Sequence, residues 1–568
     1  LPRQMEVSDL SVLLGWNRPG RISGTVSFRL GGNRVRLNIS AAPAQGYGDV
    51  DVMVHGFDLN ALPQVPRGTE GLDPSKLFID GSLDGSLSLP LGAGGMPPFS
   101  GDFFLSETEI GYRGWPLELT DLSARIGLTQ NGVSLRDMKT TIGRGRIHIS
   151  SARFRLSEGG LESVSLRGTA RELDLGNLTH GSLPWSDLTR GDWGRIYSGT
   201  ADAEFNLQWA PGREPSYEAS VSLRKGSLQV NRLDRRLDNV NVEATIESSG
   251  LVTIDHARVP VAGGEVQASG SLQLVDGQMR NPRLTVELVD IQPTAALVGQ
   301  LEPSMGEWLQ RTGMAEPRVT GNVTLSGDEM SCDLGISARA VEPDALPYRL
   351  TDFSTDLRWS SSSAGVRLRN ISGRINGGHI EGDVSVELSE HPTVSANLFG
   401  RGLPVNPKLL SLLPENSRRQ LRGWEPAGNF DLEVRCQDWQ VPETFSVDAL
   451  KPVVVKVDLR DITVSHYEMP SLVQDLFGHI SLRDGMVKLT DVNGQVMGAT
   501  ARLNGVVPLP GVERSSTLRM ETETVNIDPA WLRRLPDGMG DPIAEMDARG
   551  QGILRADVSQ LPNEEQPL

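Results

Sequence analysis

The sequence predicts an all-β fold: an elongated, mainly antiparallel sheet that curves into a taco shape around a hydrophobic groove. Three observations carry the prediction. Apolar and polar residues alternate with period two along most of the chain, Gly-bearing turns punctuate the alternating runs, and an internal repeat of about 117 residues recurs with only short helices.

The alternation is plain in Val35-Arg36-Leu37-Asn38-Ile39, Ile147-His148-Ile149, Ala203-Glu204-Phe205-Asn206-Leu207, Val384-Ser385-Val386-Glu387-Leu388 and Phe430-Asp431-Leu432-Glu433-Val434. Each run reads as a strand with one apolar and one polar face. Gly31-Gly32-Asn33, Asn131-Gly132, Ser249-Gly250 and Asp484-Gly485 lie between such runs, where hairpin turns are expected. Helical patterning is confined to Pro293 to Leu301, Ser304 to Gln310, Pro407 to Leu413, Glu415 to Leu421 and Pro529 to Leu535. Three of these begin at proline, a favoured first helical position.

Three markers define the repeat. An apolar-x-apolar strand end recurs at Phe57, Leu173, Val289, Leu403 and Val525, with spacings of 116, 116, 114 and 122. A Gly-led strand begins at Gly145, Gly264, Gly378 and Gly498, and an apolar position recurs at Leu122, Val240, Phe353 and Leu476. The markers stay in phase and divide the chain into 1–66 (partial), 67–183, 184–301, 302–414, 415–536 and 537–568 (partial). No Pro/Ser/Gly-rich linker recurs at a fixed phase, and aromatic residues make up only 5% of the chain. Both facts argue against separate sandwich domains and for one continuous β-groove over 1–568. With roughly nine or ten strands per repeat at ~4.8 Å each, a repeat is expected to advance the sheet by about 45 Å and the whole chain by about 200 Å.

Composition removes several function classes. A formal charge of −17 over 568 residues, with no basic block, argues against nucleic acid as a partner. The eight histidines are scattered singly, and no zinc, nucleophile-elbow, P-loop or dinucleotide motif occurs, so neither an enzyme nor a cofactor is expected. The glycine pairs Gly263-Gly264 and Gly377-Gly378 read as hairpin turns rather than phosphate cradles. Carboxylates such as Asp121 and Asp137 read as solvated. Two cysteines, Cys332 and Cys436, are too few for a disulfide framework or a structural zinc site, and whether they pair is left open. No apolar run reaches the ~20 residues that span a bilayer. Six tyrosines do not supply the aromatic girdles of a membrane barrel. The chain begins at Leu1 without a basic or apolar leader and reads as a segment whose targeting signal lies elsewhere.

A long sheet with one apolar face and little helix to cover it needs something to bury that face. The apolar alternates expected to line the groove are Leu37, Ile39, Ile147, Ile149, Phe205, Leu207, Val221, Leu223, Leu272, Leu274, Val323, Leu325, Val384, Val386, Phe430, Leu432, Val455 and Val457. An acyl chain is the expected occupant, each buried methylene contributing ~0.8 kcal/mol.

The chain resembles the AsmA-like superfamily of Gram-negative envelope proteins, the TamB/YhdP-like group, along essentially its whole length. The resemblance rests on the long all-β repeats and on apolar-Asp-apolar strands that run into proline-started helices at Val289 to Leu297 and Val525 to Leu532. It rests also on helical stretches that lead into Gly321-Asn322-Val323 and Gly428-Asn429-Phe430. It implies a periplasmic location, an inner-membrane anchor outside this segment, an outer-membrane or periplasmic protein partner, and phospholipid as cargo. The function it implies is a bridge-like lipid conduit between inner and outer membranes. The alternative is a structural or assembly scaffold for envelope proteins that moves no lipid.

Overall fold

A computed structural model of the chain describes residues 7–18, 20–61, 77–92, 98–112, 118–157, 160–176, 190–191, 194–230, 236–275, 278–295, 298, 310–342, 348–363, 365–387, 392–405, 424–440, 450–466, 469–496, 499–509, 512, 514–527, 529, 541–547 and 549–560. It is 82% strand and 4% helical, and its ladders are antiparallel, as the alternation predicts.

The strands are, in order, β1 (Val7–Arg18), β2 (Arg21–Leu30), β3 (Asn33–Ala42), β4 (Tyr47–Asp58), β5 (Leu77–Gly92), β6 (Ser100–Tyr112), β7 (Glu118–Thr129), β8 (Gly132–Ile142), β9 (Gly145–Ser157) and β10 (Gly160–Asp174). There follow β11 (Arg190–Gly191), β12 (Gly194–Trp209), β13 (Ser216–Val230), β14 (Arg236–Glu247), β15 (Leu251–Val261), β16 (Gly264–Val275), β17 (Gln278–Ile291), β18 (Arg318–Ser326), β19 (Glu329–Val341), β20 (Leu350–Ser360) and β21 (Gly365–Ile375). The last are β22 (Gly378–Glu387), β23 (Thr393–Pro404), β24 (Trp424–Gln440), β25 (Val453–His466), β26 (Met469–Arg483), β27 (Met486–Val496), β28 (Ala499–Pro508), β29 (Ser516–Thr522), β30 (Val525–Ile527), β31 (Gly550–Gly552) and β32 (Arg555–Gln560), with one short helix, α1 (Asp541–Glu545), before β31.

The chain divides into two compact units, Leu1–Val261 with Glu265–Val286, and Ala262–Gly264 with Glu287–Leu568. In the first, each strand from β1 to β10 pairs with its sequence neighbour. β10 then pairs with β12, and the ladder continues through β13 and β14 to β15. In the second, β18 to β23 pair in the same neighbour-to-neighbour way. The run continues from β23 to β29, where β32 pairs last. β30 and β31 form a separate two-stranded ladder.

All four expected hairpin turns lie between paired strands. Gly31 and Gly32 (φ 58° and 90°) and Asp484 and Gly485 (φ 50° and 72°) have the positive φ at both loop positions that matches the strand twist. Gly263 and Gly377 occupy the β15–β16 and β21–β22 turns with φ of 82° and 96°, again as expected. Of the expected helices, residues 295 and 298 are helical, joined by the Val298 N–H bond to Thr294 O at 2.9 Å. Gln310 and Pro529 are helical too, while Pro407 to Leu413 and Glu415 to Leu421 lie outside the described residues. Helix α1 has no counterpart in the expected set.

The repeat holds fewer and longer strands than expected. Six long strands, β5 to β10, separate Phe57 from Leu173, and six more, β18 to β23, close the repeat that ends at Leu403. Strands of 9 to 16 residues consume the repeat length quickly. At ~4.8 Å per strand, six of them advance a sheet by about 29 Å, not 45 Å.

Many of the long strands carry a β-bulge whose extra residue is left-handed. Gly56, Glu107, Asp121, Glu172, Lys225, Asn239, Asn370, Gly402, Asp461, Asp475 and Asp491 all have φ between 47° and 59°. The bulges align from strand to strand, because the residue after one faces the residue after the next: Thr108 opposes Leu122, Gly226 opposes Val240, and Ile462 opposes Leu476. A bulge bends its strand and increases the local twist, so an aligned row of bulges creases the sheet. Burial is greatest along this crease, at Phe57, Thr108, Leu122, Val240, Leu403, Ile462 and Val492. In the second unit Leu403 packs with Ala338, Val341, Leu350 and Ile375.

The third sequence marker falls on this crease: Leu122, Val240, Phe353 and Leu476 each follow a left-handed residue, namely Asp121, Asn239, Asp352 and Asp475. The first marker fits in three of its five copies, and the fifth, Val525, follows no left-handed residue. Phe57, Leu173 and Leu403 each follow a bulge residue, but in the third copy the left-handed residue is Asp290, so Ile291 rather than Val289 takes the equivalent buried place.

Candidate functional site: two apolar sheet faces

Cross-strand partners share a face of a sheet, and their register assembles one apolar face in each unit. In the first unit a row runs Ile147, Ala170, Ala203, Val221, Ala244, Ile254 across β9 to β15. A parallel row runs Ile149, Gly168, Phe205, Ala219, Ile246, Val252. Leu37 lies between Val26 and Val52, and Ile39 between Gly24 and Val50. Leu207 faces Leu166 and Tyr217, and Leu223 faces Ala201 and Val242.

The second unit repeats the arrangement. One row runs Val323, Cys332, Trp359, Val366, Val386, Val394, Trp439 across β18 to β24. Beside it Val384 lies between Leu368 and Ala396, and Leu325 faces Met330. A further row runs Leu432, Val457, Ile480, Leu489, Gly505, Leu518, Val558 to the last strand. Phe430 faces Leu403 and Leu459, and Val455 faces Val434 and Leu482.

All eighteen residues expected to line a groove, with Leu272 and Leu274 of β16 among them, are half-buried, neither enclosed nor fully exposed. Most crease positions, such as Leu122, Val240 and Leu403, are more deeply buried, while Leu173, Phe353 and Leu476 are half-buried too. A closed sandwich would seal both sets alike.

The opposite face is charged. Ion pairs cross from strand to strand, among them Arg146–Glu172 (2.7 Å), Arg224–Asp202 (2.7 Å), Arg318–Asp290 (2.6 Å), Arg339–Glu316 (2.8 Å) and Arg358–Asp333 (3.0 Å). In each pair the arginine is solvent-exposed, so screening by water keeps its stabilising effect small. Their joint effect is to mark this face as the wet one.

Two features escaped sequence reasoning. The first is how the bulges are satisfied: an acceptor on the next strand takes the N–H that the bulge frees. Gly56 N–H bonds Asp84 (2.8 Å), Glu172 N–H bonds Asp202 (2.8 Å), and Gly402 N–H bonds Asp431 (2.7 Å). Asn370, Lys225 and Asp491 do the same with Asp383, Asn241 and Asn504. Asp84, Asp202 and Asp431 each stand three residues after a glycine, Gly81, Gly199 or Gly428, with φ of 152°, 138° or 121°. This Gly-x-x-Asp spacing recurs about once per repeat and was a readable signal. The carboxylates Asp121 and Asp137, expected to be merely solvated, are exposed but also carry left-handed backbone.

The second is a pair of open depressions on the polar face of the second unit. The larger, about 990 Å³, is lined by residues including Arg367, Arg369, Ser385, Ser395, Asn397 and Arg435, and the smaller, about 460 Å³, shares Arg367 and Arg369.

Cys332 and Cys436 are free and lie on the apolar face, five strands apart. That is about 24 Å at ~4.8 Å per strand, beyond the ~7 Å Cα limit for a disulfide. Burial pushes both thiols above their ordinary pKa. Among the described residues no group of three His, Cys, Asp or Glu side chains is placed to hold a metal, and no helix is long and apolar enough to cross a membrane.

The chain matches no protein-family model, no curated protein and no solved structure.

Proposed function

We propose that this chain is a lipid conduit of the AsmA-like kind, carrying phospholipid between the inner and outer membranes with its acyl chains along the apolar faces. The observation that carries the reading is the half-burial of whole rows of apolar side chains, such as Val323 to Trp439. Rows of this kind, left uncovered, forgo the stabilisation that burial brings, and an acyl chain laid along them recovers ~0.8 kcal/mol per methylene. The bordering crease supplies the rigidity such a surface needs, since its buried side chains hold the sheet without help from the ligand. On this reading the chain is not an enzyme, works in the periplasm, and depends on an inner-membrane anchor and an outer-membrane or periplasmic partner beyond the segment.

The test is compositional. The protein, purified without detergent from a lipid-rich host and extracted for mass spectrometry, is expected to release phospholipid in at least stoichiometric amount. A well-folded, lipid-free protein that instead retains a bound envelope protein would overturn the conduit in favour of a scaffold.

A further inference from the structure

Many arginines on the polar face of the second unit are ion-paired, and Arg367 and Arg369 are among those that are not. Both lie on β21 two residues apart and therefore on one face. Among the described residues neither has a carboxylate within ion-pair distance, although Arg339, Arg358, Arg401 and Arg460 on the same face all do. Nor is the geometry neutral. Arg367 stands directly opposite Arg358 in the ladder, and like charges in that position destabilise a sheet. Asp356, which faces Arg369 in register, is taken by the Asn370 side-chain amide at 2.6 Å. Asp383, the acidic residue in the larger depression, accepts the Asn370 backbone N–H at 3.0 Å. Each of these carboxylates thus bonds Asn370 and neither guanidinium, although both keep their charge.

We propose that this region is a binding site for a dianionic phosphoryl group. Arg367 and Arg369 supply two guanidiniums free of ion pairs between the two depressions, and Arg358 adds a third that pairs with Asp333. Guanidinium forks match phosphate oxygens in bidentate geometry and keep their charge at any physiological pH. Ser385, Ser395 and Asn397 line the larger depression and offer hydroxyl and amide donors for the remaining oxygens. A dianion bound there bridges Arg367 and Arg369 and offsets the repulsion between Arg358 and Arg367, at the cost of its own repulsion from Asp356 and Asp383. The site is on the charged face, so it does not depend on the apolar rows or on what covers them.

Phosphomonoesters in lipid headgroups and soluble phosphates share this chemistry, and two arms separate them. In the first, pyrophosphate and inorganic phosphate are titrated calorimetrically into the full chain in a phosphate-free buffer. In the second, the chain is floated with phosphatidylcholine vesicles with or without phosphatidic acid. The variants are Arg367→Gln with Arg369→Gln, each of these alone, and Arg339→Gln as a control from a paired arginine. The expected result is millimolar or tighter binding in at least one arm, weakened at least tenfold by the double substitution and unchanged in the control. Binding only to phosphatidic acid vesicles assigns the headgroup as the source, and binding of pyrophosphate assigns a soluble phosphate. Failure of both arms with the unsubstituted chain overturns the site. So does equal binding by the double variant, whose exposed substitutions are expected to leave the melting temperature unchanged.

Discussion

The backbone N–H of Gly402 and the carboxylate of Asp431 meet at 2.7 Å, across the step from β23 to β24. Gly402 is the extra residue of its bulge, so its N–H has no partner in the ladder, and Asp431 fills that vacancy while also pairing with Arg460. Asp431→Ala is expected to destabilise the second unit by about 1–3 kcal/mol, the cost of stranding a half-buried donor. Asp431→Asn keeps an acceptor oxygen and should recover most of the loss. Urea denaturation of the three proteins tests this, and equal midpoints for Ala and Asn would refute the acceptor role.

The glycine three residues earlier is constrained by the next strand. Gly428 has φ of 121°, and a Cβ there would stand 2.4 Å from Asp461 O and 2.9 Å from Ile462 Cα, both backbone atoms. Gly428→Ala should cost about 2 kcal/mol or more, combining strained φ with a clash that no rotamer relieves. Gly335→Ala is the comparison. Its Cβ would meet nothing closer than 3.6 Å, and its φ is unexceptional, so that variant should be neutral or slightly more stable. Thermal melts that shift equally for both would count against the crease as a close-packed joint.

Acid should loosen the first unit in part through Asp84. Its carboxyl is held below the usual carboxylate range, first by the hydrogen bond from the His55 ring (2.7 Å) and then by the Gly56 N–H (2.8 Å). A depressed folded-state pKa contributes stability that is present above the ordinary carboxylate value and is lost as pH falls through the folded value. Because His55 is almost fully exposed, the contribution is small, under about 1 kcal/mol. Asp84→Asn should therefore flatten the acid limb of the stability profile below about pH 4. Carboxyl NMR titration should place the Asp84 midpoint below that of the exposed aspartates, and a midpoint at the ordinary value would remove this account.

Val386 tests the apolar face directly. It stands between Val366 and Val394 in the half-buried row, while its neighbour Ser385 faces Arg367 and Ser395 on the wet side. In an open wall the carboxylate of Val386→Asp can hydrate or protonate, so the fold should survive with lipid occupancy lost. Ser385→Asp should keep the fold and leave the apolar row unbroken. Leu403→Ala on the crease should instead cost about 2–5 kcal/mol, as large-to-small substitutions do in closed cores. Unfolding caused by Val386→Asp would point to a sealed interior. Unchanged lipid binding in Val386→Asp would detach cargo from this face.

The two thiols report on the same surface. With burial holding Cys332 and Cys436 in the protonated form, reaction with Ellman's reagent at neutral pH should be slower than that of a free cysteine. Loading with phospholipid should slow it further. Rates that ignore lipid would argue against acyl chains near the Cys332 and Cys436 rows.

Alternation and hairpin chemistry were legible in the sequence because each is local: Val384-Ser385-Val386 declares its two faces, and Asp484-Gly485 declares its turn. The crease was only half legible. Its positions at Leu122, Val240, Phe353 and Leu476 stood out by repetition, yet nothing in those residues announces that the preceding Asp or Asn is left-handed. At other bulges the left-handed residue bonds an acceptor 30 residues away or less, as the Glu172 N–H bonds Asp202, a partner the local sequence does not display. The one-residue insertion a bulge makes in period-two alternation also blurs the pattern, which is why Asp121 and Asp137 read as ordinary surface carboxylates. The arginine cluster was illegible for a related reason. Arg358 and Arg367 become neighbours only through register across a turn.

Neighbour-only pairing has an evolutionary reading. Six long strands is an even number, so β4 and β10 run in the same direction and end in equivalent bulges at Gly56 and Glu172. Removing or duplicating the span from β5 to β10 would therefore join matching ends without turning any side chain to the wrong face, whereas a change of one residue inside a strand inverts everything beyond it. Gene rearrangement can lengthen or shorten such a protein in increments of six strands while conserving every local joint, which makes reach a heritable quantity that selection can adjust independently of surface chemistry.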